Sequence, residues 1–134
     1  MAMPRTTWWL RVVGAFYLLL TLMNLYGIFV NPQVFNTSLP FPAEGFVLRA
    51  FTDAWLVFVL EMGALGAAML YASRDPARSR ALVLAIIIAE VFRGIAADAI
   101  WITRGYSAAT YALSIGIHVI IIATGILFLR KEKA

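Results

Sequence analysis

The stretch Ala89 to Tyr106, "AEVFRGIAADAIWITRGY", sets Glu90, Arg93, Asp98 and Arg104 into a run of Ile, Ala, Val and Trp that otherwise reads as the middle and end of a membrane-spanning helix. Its apolar part begins near Arg80 and runs to Thr103, about 20 residues or more, the length needed to cross a hydrocarbon core near 30 Å thick. Three further segments are as long and as apolar, so the whole chain reads as an all-α, four-helix integral membrane bundle with spans at 8–30, 45–72, 80–103 and 108–129. One transmembrane domain covers 1–134.

Composition agrees. The 134 residues are 63% hydrophobic and only 13% charged, against roughly 45–50% apolar in a soluble domain, which leaves no room for a soluble reading. The net charge of +4 does not form one broad basic stripe, so nucleic acid is not an expected partner; the lipid bilayer is. With no cysteine, disulfides, thiolate metal sites and cysteine redox chemistry are excluded. The first apolar run is too long for a signal peptide and lacks an A-x-A-like cleavage site, so it is expected to stay in the chain.

Between the first two spans, "NPQVFNTSLPFPAEG" (31–45) carries Pro32, Pro40 and Pro42 among Asn and Ser and is expected to break helix into a loop. "SRDPARSR" (73–80) and "RGYS" (104–107) supply tighter turns. Arg5 and Arg11, then Arg74, Arg78 and Arg80, then Arg130, Lys131 and Lys133 fall on one side of this topology. The positive-inside rule therefore puts both termini in the cytoplasm and the Pro-rich loop outside.

At about 1.5 Å rise per residue, Arg49 lies shallow, Asp53 deeper and Glu61 near the midplane, while Asp98, Arg93 and Glu90 match those levels from the antiparallel neighbour. Comparing "RAFTDAW" (49–55) with "RGIAADAIW" (93–101) leads to an expected cross-pairing, Arg49 with Asp98 and Arg93 with Asp53. Glu61 and Glu90 then stay unpaired at mid-depth, with His118 about one turn nearer the outside, and a carboxylate there has to be balanced by a proton or a ligand. The candidate binding set is Glu61, Glu90, Arg93, Asp53, Asp98, Arg49, His118, Trp55, Trp101 and Asn24, walled by Trp55, Phe58, Phe92 and Trp101, with Tyr17 and Tyr26 at the rim. No metal is assigned, because "EVFR" has Arg where a Glu-x-x-His motif needs its imidazole. No cofactor is indicated. The architectural alternative has Glu90 pairing with Arg93, Glu61 with a hydroxyl and His118 with a backbone carbonyl. Gly63, Gly66, Ala67, Ser114, Gly116 and Gly125 are expected to let helices approach closely.

The runs "WWLRVVGAFYLLLTLMNLYGIFVNPQVF", "LRAFTDAWLVFVLE", "YASRDP" and "EVFRGIAADAIWITRGY" resemble the small BphX-like membrane proteins of the broader DoxX-like group. That family takes its name from genes of aromatic-compound (biphenyl) degradation clusters. The resemblance implies a multi-pass protein of the bacterial inner membrane and brings no catalytic residue with it. The expected function is accessory: binding a small hydrophobic or aromatic molecule in a polar midplane pocket. Two alternatives stand beside it, an enzyme or proton-coupled carrier using the same acids, and a subunit of a larger membrane complex. A homodimer through small residues fits the same pattern.

Overall fold

A computed structural model describes residues 5–37 and 39–131; Ser38 and Lys133 lie outside the described residues. Every element among them is helical. Helix α1 runs Arg5–Phe29, α2 Gly45–Ala72, α3 Arg80–Ala89, α4 Ala97–Thr103 and α5 Ala108–Lys131. The expected limits of the second span are met, and those of the others shift by a few residues, as fraying ends do. Three helices, α1, α2 and α5, are long and apolar enough to cross a membrane. Only 33%, 22% and 17% of their apolar windows are buried inside the protein, so most of their Leu, Val, Ile and Phe surface faces outward, as contact with lipid requires.

Between α3 and α4 the chain does not leave helical geometry. Glu90–Ala96 forms a π-helical segment, and the flanking residues Ala89, Glu90, Ala96 and Ala97 all keep right-handed φ and ψ. The expectation of a plain α-helix over 80–103 is thus corrected: the run is continuous, but its middle turns are wider. The small residues Gly94, Ala96 and Ala97 leave space for this widening.

Helices α1 and α2 form an antiparallel hairpin, since residues rising along α1 meet residues falling along α2: Gly14 with Gly66, Thr21 with Gly63, Asn24 with Trp55. Where Gly14 and Gly66 cross, a Cβ on either would stand 2.9 Å from the other's carbonyl oxygen, so only glycine permits the approach. In a membrane such close van der Waals packing replaces the hydrophobic effect as the force between helices. The 80–103 run packs antiparallel on α5 in the same way, with Ile87 near Gly125 and Gly94 near His118. Gly116, expected to serve a contact, meets nothing within 4 Å.

Trp9 ties α1 to α5, its Nε1 donating to Thr124 Oγ1 at 3.1 Å and Ile121 O at 3.3 Å. Around it Leu10, Val13, Met69, Val83, Ile86 and Leu129 form the tightly buried core. This places the well-packed part of the fold at the Trp9 end and leaves the Asn24 end less filled. The proline-rich segment is not wholly irregular: Pro32–Thr37 is a short 3₁₀ helix, tolerated because Pro32 heads it, where no backbone N–H is needed. It folds back so that Phe35 meets Phe51 edge-on at 5.6 Å and covers Gly27. Gly105, at φ 87°, supplies the left-handed turn from α4 into α5.

Candidate functional site

The less filled end holds a cavity of about 220 Å³ between the α1–α2 hairpin and the helix pair formed by the 80–103 run and α5. The two pairs of helices meet unevenly here. Helices α1 and α2 pack along their length, as do the 80–103 run and α5, whereas α2 and the 80–103 run are bridged by side chains across a seam. Arg93 reaches across it to Glu61 (3.9 Å) and over the ring of Phe58 (5.0 Å), and Trp55 faces Trp101 at 6.1 Å.

The deepest polar group is Glu90, 2% exposed, whose Oε2 contacts His118 Nδ1. The other ring nitrogen, Nε2, lies 3.2 Å from Ser114 Oγ and 3.6 Å from Asp98 Oδ2. One imidazole from α5 therefore sits between two carboxyls of the neighbouring helical run. The wide turns explain how one helix presents both. At about 100° per residue, eight residues of α-helix would put Asp98 about 80° off the face of Glu90. The π segment advances less per residue, which brings Asp98 back toward that face.

Gly94 makes the contact sterically feasible. A Cβ there would lie 2.5 Å from His118 Cγ and Nδ1, so the imidazole rests directly on the helix backbone. The sequence did not mark Gly94 as a site residue. The available signal was a glycine inside an apolar helix, which costs about 1 kcal/mol relative to alanine and usually has a packing reason.

Of the expected set, Asn24, Trp55, Glu90, Arg93, Asp98, Trp101 and His118 all line the cavity. Glu61 stands at its rim, its side chain 62% exposed and 3.9 Å from Arg93. Arg49 and Asp53 do not join them: both line a separate depression with Thr52, Phe29 and Pro32. Among the described residues no ion pair joins Arg49 to Asp98 or Arg93 to Asp53; the expected cross-pairing gives way to Arg93–Glu61 and His118 with Asp98. Phe92 faces outward and is no wall of the site, and Tyr26 lines a different groove. In the architectural alternative Glu90 was expected to pair with Arg93; it contacts His118 instead. Tyr17, Phe16, Met62 and Tyr111 complete the wall.

Asn24 has a double role. Its Oδ1 accepts from Trp55 Nε1 at 2.8 Å while its Nδ2 donates to Leu20 O at 2.8 Å, which fixes the indole at the cavity's outer end. Beyond it lies a second cavity of about 230 Å³, sharing Asn24, Trp55, Trp101 and Tyr111 with the first and closed by Phe35, Leu39 and Phe51. Trp101 packs on Tyr111 (5.3 Å) and Tyr106 (6.0 Å), so an aromatic partition separates the two spaces.

Three polar atoms in the inner cavity are buried yet have no hydrogen-bond partner: Tyr17 OH, Arg93 Nη1 and Asp98 Oδ2. Unmade bonds on buried groups cost about 1–3 kcal/mol each, more for charged ones. Here they converge on one space, which offers donors at Tyr17 and Arg93 and an acceptor at Asp98, enclosed by aromatic rings.

Comparison with known proteins places the chain. Proteins described as uncharacterized and BphX-like, from Burkholderia cepacia and from Paraburkholderia xenovorans (strain LB400), are each 35% identical to it over 91 residues. That region covers 64% of this chain and 63% of each relative, so the match spans less than two thirds of the relatives' length. No solved structure matches. The BphX-like family model matches residues 3–134, nearly the whole sequence, and the chain therefore belongs to the BphX-like family.

Proposed function

We propose that this chain is an accessory binding protein of the bacterial inner membrane, taking a small hydrophobic or aromatic molecule into the cavity bounded by Trp55, Trp101, Arg93, Asp98 and His118. Tyr17 OH, Arg93 Nη1 and Asp98 Oδ2, all buried without a hydrogen bond on residues that line one aromatic-walled space, carry this reading. A molecule with one polar group at each end of an apolar body would complete those bonds while filling the cavity. Its volume, about 220 Å³, suits a single-ring compound; an apolar cavity of about 150 Å³ holds benzene.

The protein crosses the bilayer four times in this reading, the 80–103 run supplying the fourth crossing. Continuous helical geometry and antiparallel packing on α5 support that. Both termini and the Arg74–Arg80 turn lie in the cytoplasm, which follows from the distribution of Arg and Lys. The cavities then open toward the outer leaflet, with the Pro32–Thr37 segment above them. Native mass spectrometry of the detergent-purified protein, followed by denaturing extraction, tests the proposal. A stoichiometric small organic molecule, lost in Asp98→Asn, supports it; a folded protein that carries none and takes up no small aromatic when offered one sinks it.

The contact series Glu90–His118–Asp98 favours a second reading, in which the same site moves a proton as part of an enzyme or a proton-coupled carrier. That reading requires turnover or flux abolished by Glu90→Gln and retained by Glu90→Asp.

A further inference from the structure

Resting on the ligand-pocket reading, the charge count around the cavity narrows the class of molecule it accepts. Glu90 and Asp98 line it and Glu61 stands at its rim, three carboxyls set against two basic groups, Arg93 and His118. Arg93 is matched to Glu61 at the rim (3.9 Å), and the single imidazole of His118 is shared between Glu90, which its Nδ1 contacts, and Asp98, 3.6 Å from its Nε2. One imidazole cannot balance two carboxyls, and Asp98 is the less closely held of the two: it is 3% exposed and its Oδ2 has no hydrogen bond. Even a fully charged imidazole leaves the set one negative charge in excess. A carboxylate or phosphate ligand would raise that excess further in a low-dielectric site, at a large cost. A cation would cancel it.

The walls beside Asp98 suit a cation as well. Trp55, Phe58, Trp101 and Tyr111 line the same cavity, with Trp55 stacked on Phe58 at 4.6 Å and Trp101 against Tyr111 at 5.3 Å. Ring faces attract an ammonium group through their quadrupoles, most strongly where water is excluded. The same physics already operates a few ångströms away, where Arg93 lies over Phe58 and Tyr17. The remaining titratable groups on the wall are the phenols of Tyr17 and Tyr111, which add no positive charge.

We infer that the cavity is selective for a small lipophilic amine, whose ammonium group donates to Asp98 Oδ2 among the rings of Trp101 and Tyr111 while its apolar body lies toward Phe58, Met62 and Ile121. An amine arriving uncharged from the bilayer takes up one proton from water, and the resulting ammonium and the Asp98 carboxylate form a neutral pair.

The test uses three compounds of one size and three charges: benzylamine, benzyl alcohol and benzoate. Each is titrated into the full-length protein in uncharged maltoside micelles, with empty micelles as the partition control, by calorimetry and by emission of the cavity tryptophans. The inference expects benzylamine to bind at least about tenfold tighter than either analogue. It expects Asp98→Asn to remove that preference, so that benzylamine binds the folded variant no tighter than benzyl alcohol does. Tighter binding of benzyl alcohol or benzoate, or an amine preference that persists in folded Asp98→Asn, overturns the amine inference and leaves the pocket reading standing. Failure of all three to bind overturns both. The comparison on the unaltered protein decides the matter even if Asp98→Asn does not fold.

Discussion

Replacing Gly94 with alanine is the sharpest perturbation of the site, because it adds one methyl group at the point where His118 rests on the helix. That methyl would meet His118 Cγ and Nδ1 at 2.5 Å and Cδ2 at 2.7 Å, where ordinary contact begins at 3.4 Å, so the ring must retreat by about 0.9 Å. Retreat parts Nδ1 from Glu90 Oε2, a contact between a 2% exposed carboxyl and its partner. Overpacking of this kind costs about 1–3 kcal/mol, and loss of a hydrogen bond to a charged group about 1.5–3 kcal/mol. Alanine's better helix propensity gives back about 1 kcal/mol, for an expected net loss of about 1.5–5 kcal/mol. Unfolding in mixed micelles of dodecyl sulfate and maltoside, followed by tryptophan emission, reads this directly. In a His118→Ala background the colliding ring is gone, and Gly94→Ala should become neutral or stabilising by up to about 1 kcal/mol. Equal losses in both backgrounds would refute the claim that Gly94 exists to admit His118.

Other outcomes follow from the same structure. Gly66→Leu drives a side chain into the carbonyl of Gly14 and should lower stability by about 1–3 kcal/mol or more in the same assay, whereas Gly116→Leu, facing open space, should change it little. The chain lacks cysteine, so single cysteines report topology cleanly: at exposed positions, Ala77→Cys should label only from the cytoplasmic side and Thr37→Cys only from the outside. Trp55→Phe leaves Asn24 Oδ1 without its donor and should loosen the partition between the two cavities, seen as faster exchange of a bound aromatic.

Helix positions were legible because their signals are local. Apolar runs, the break at 31–45 and the turn at 73–79 set the ends of α2 where the structure has them. Glu61 and Glu90, expected to stay unpaired, meet Arg93 and His118 instead. Facing was not legible. The cross-pairing of Arg93 with Asp53 rested on matched depths and on the likeness of 49–55 to 93–101, neither of which says which way a side chain faces, and the π segment at Glu90–Ala96 alters that facing. Phe92, expected in the wall, faces outward. No local pattern announces a π turn. Gly94 was passed over because its reason, an imidazole 24 residues away in sequence, appears only once the 80–103 run lies against α5.

The central claim is that the space between Trp55, Trp101, Asp98 and His118 receives a small aromatic molecule. Crystals grown in lipidic mesophase with 4-bromobenzyl alcohol, measured at the bromine absorption edge, locate the ring without reliance on weak density. The account predicts an anomalous peak inside the 220 Å³ cavity, reduced or absent in Trp101→Ala. Bromine found only along the lipid-facing surfaces of α1, α2 and α5, with the cavity closed over by its own side chains, would contradict it.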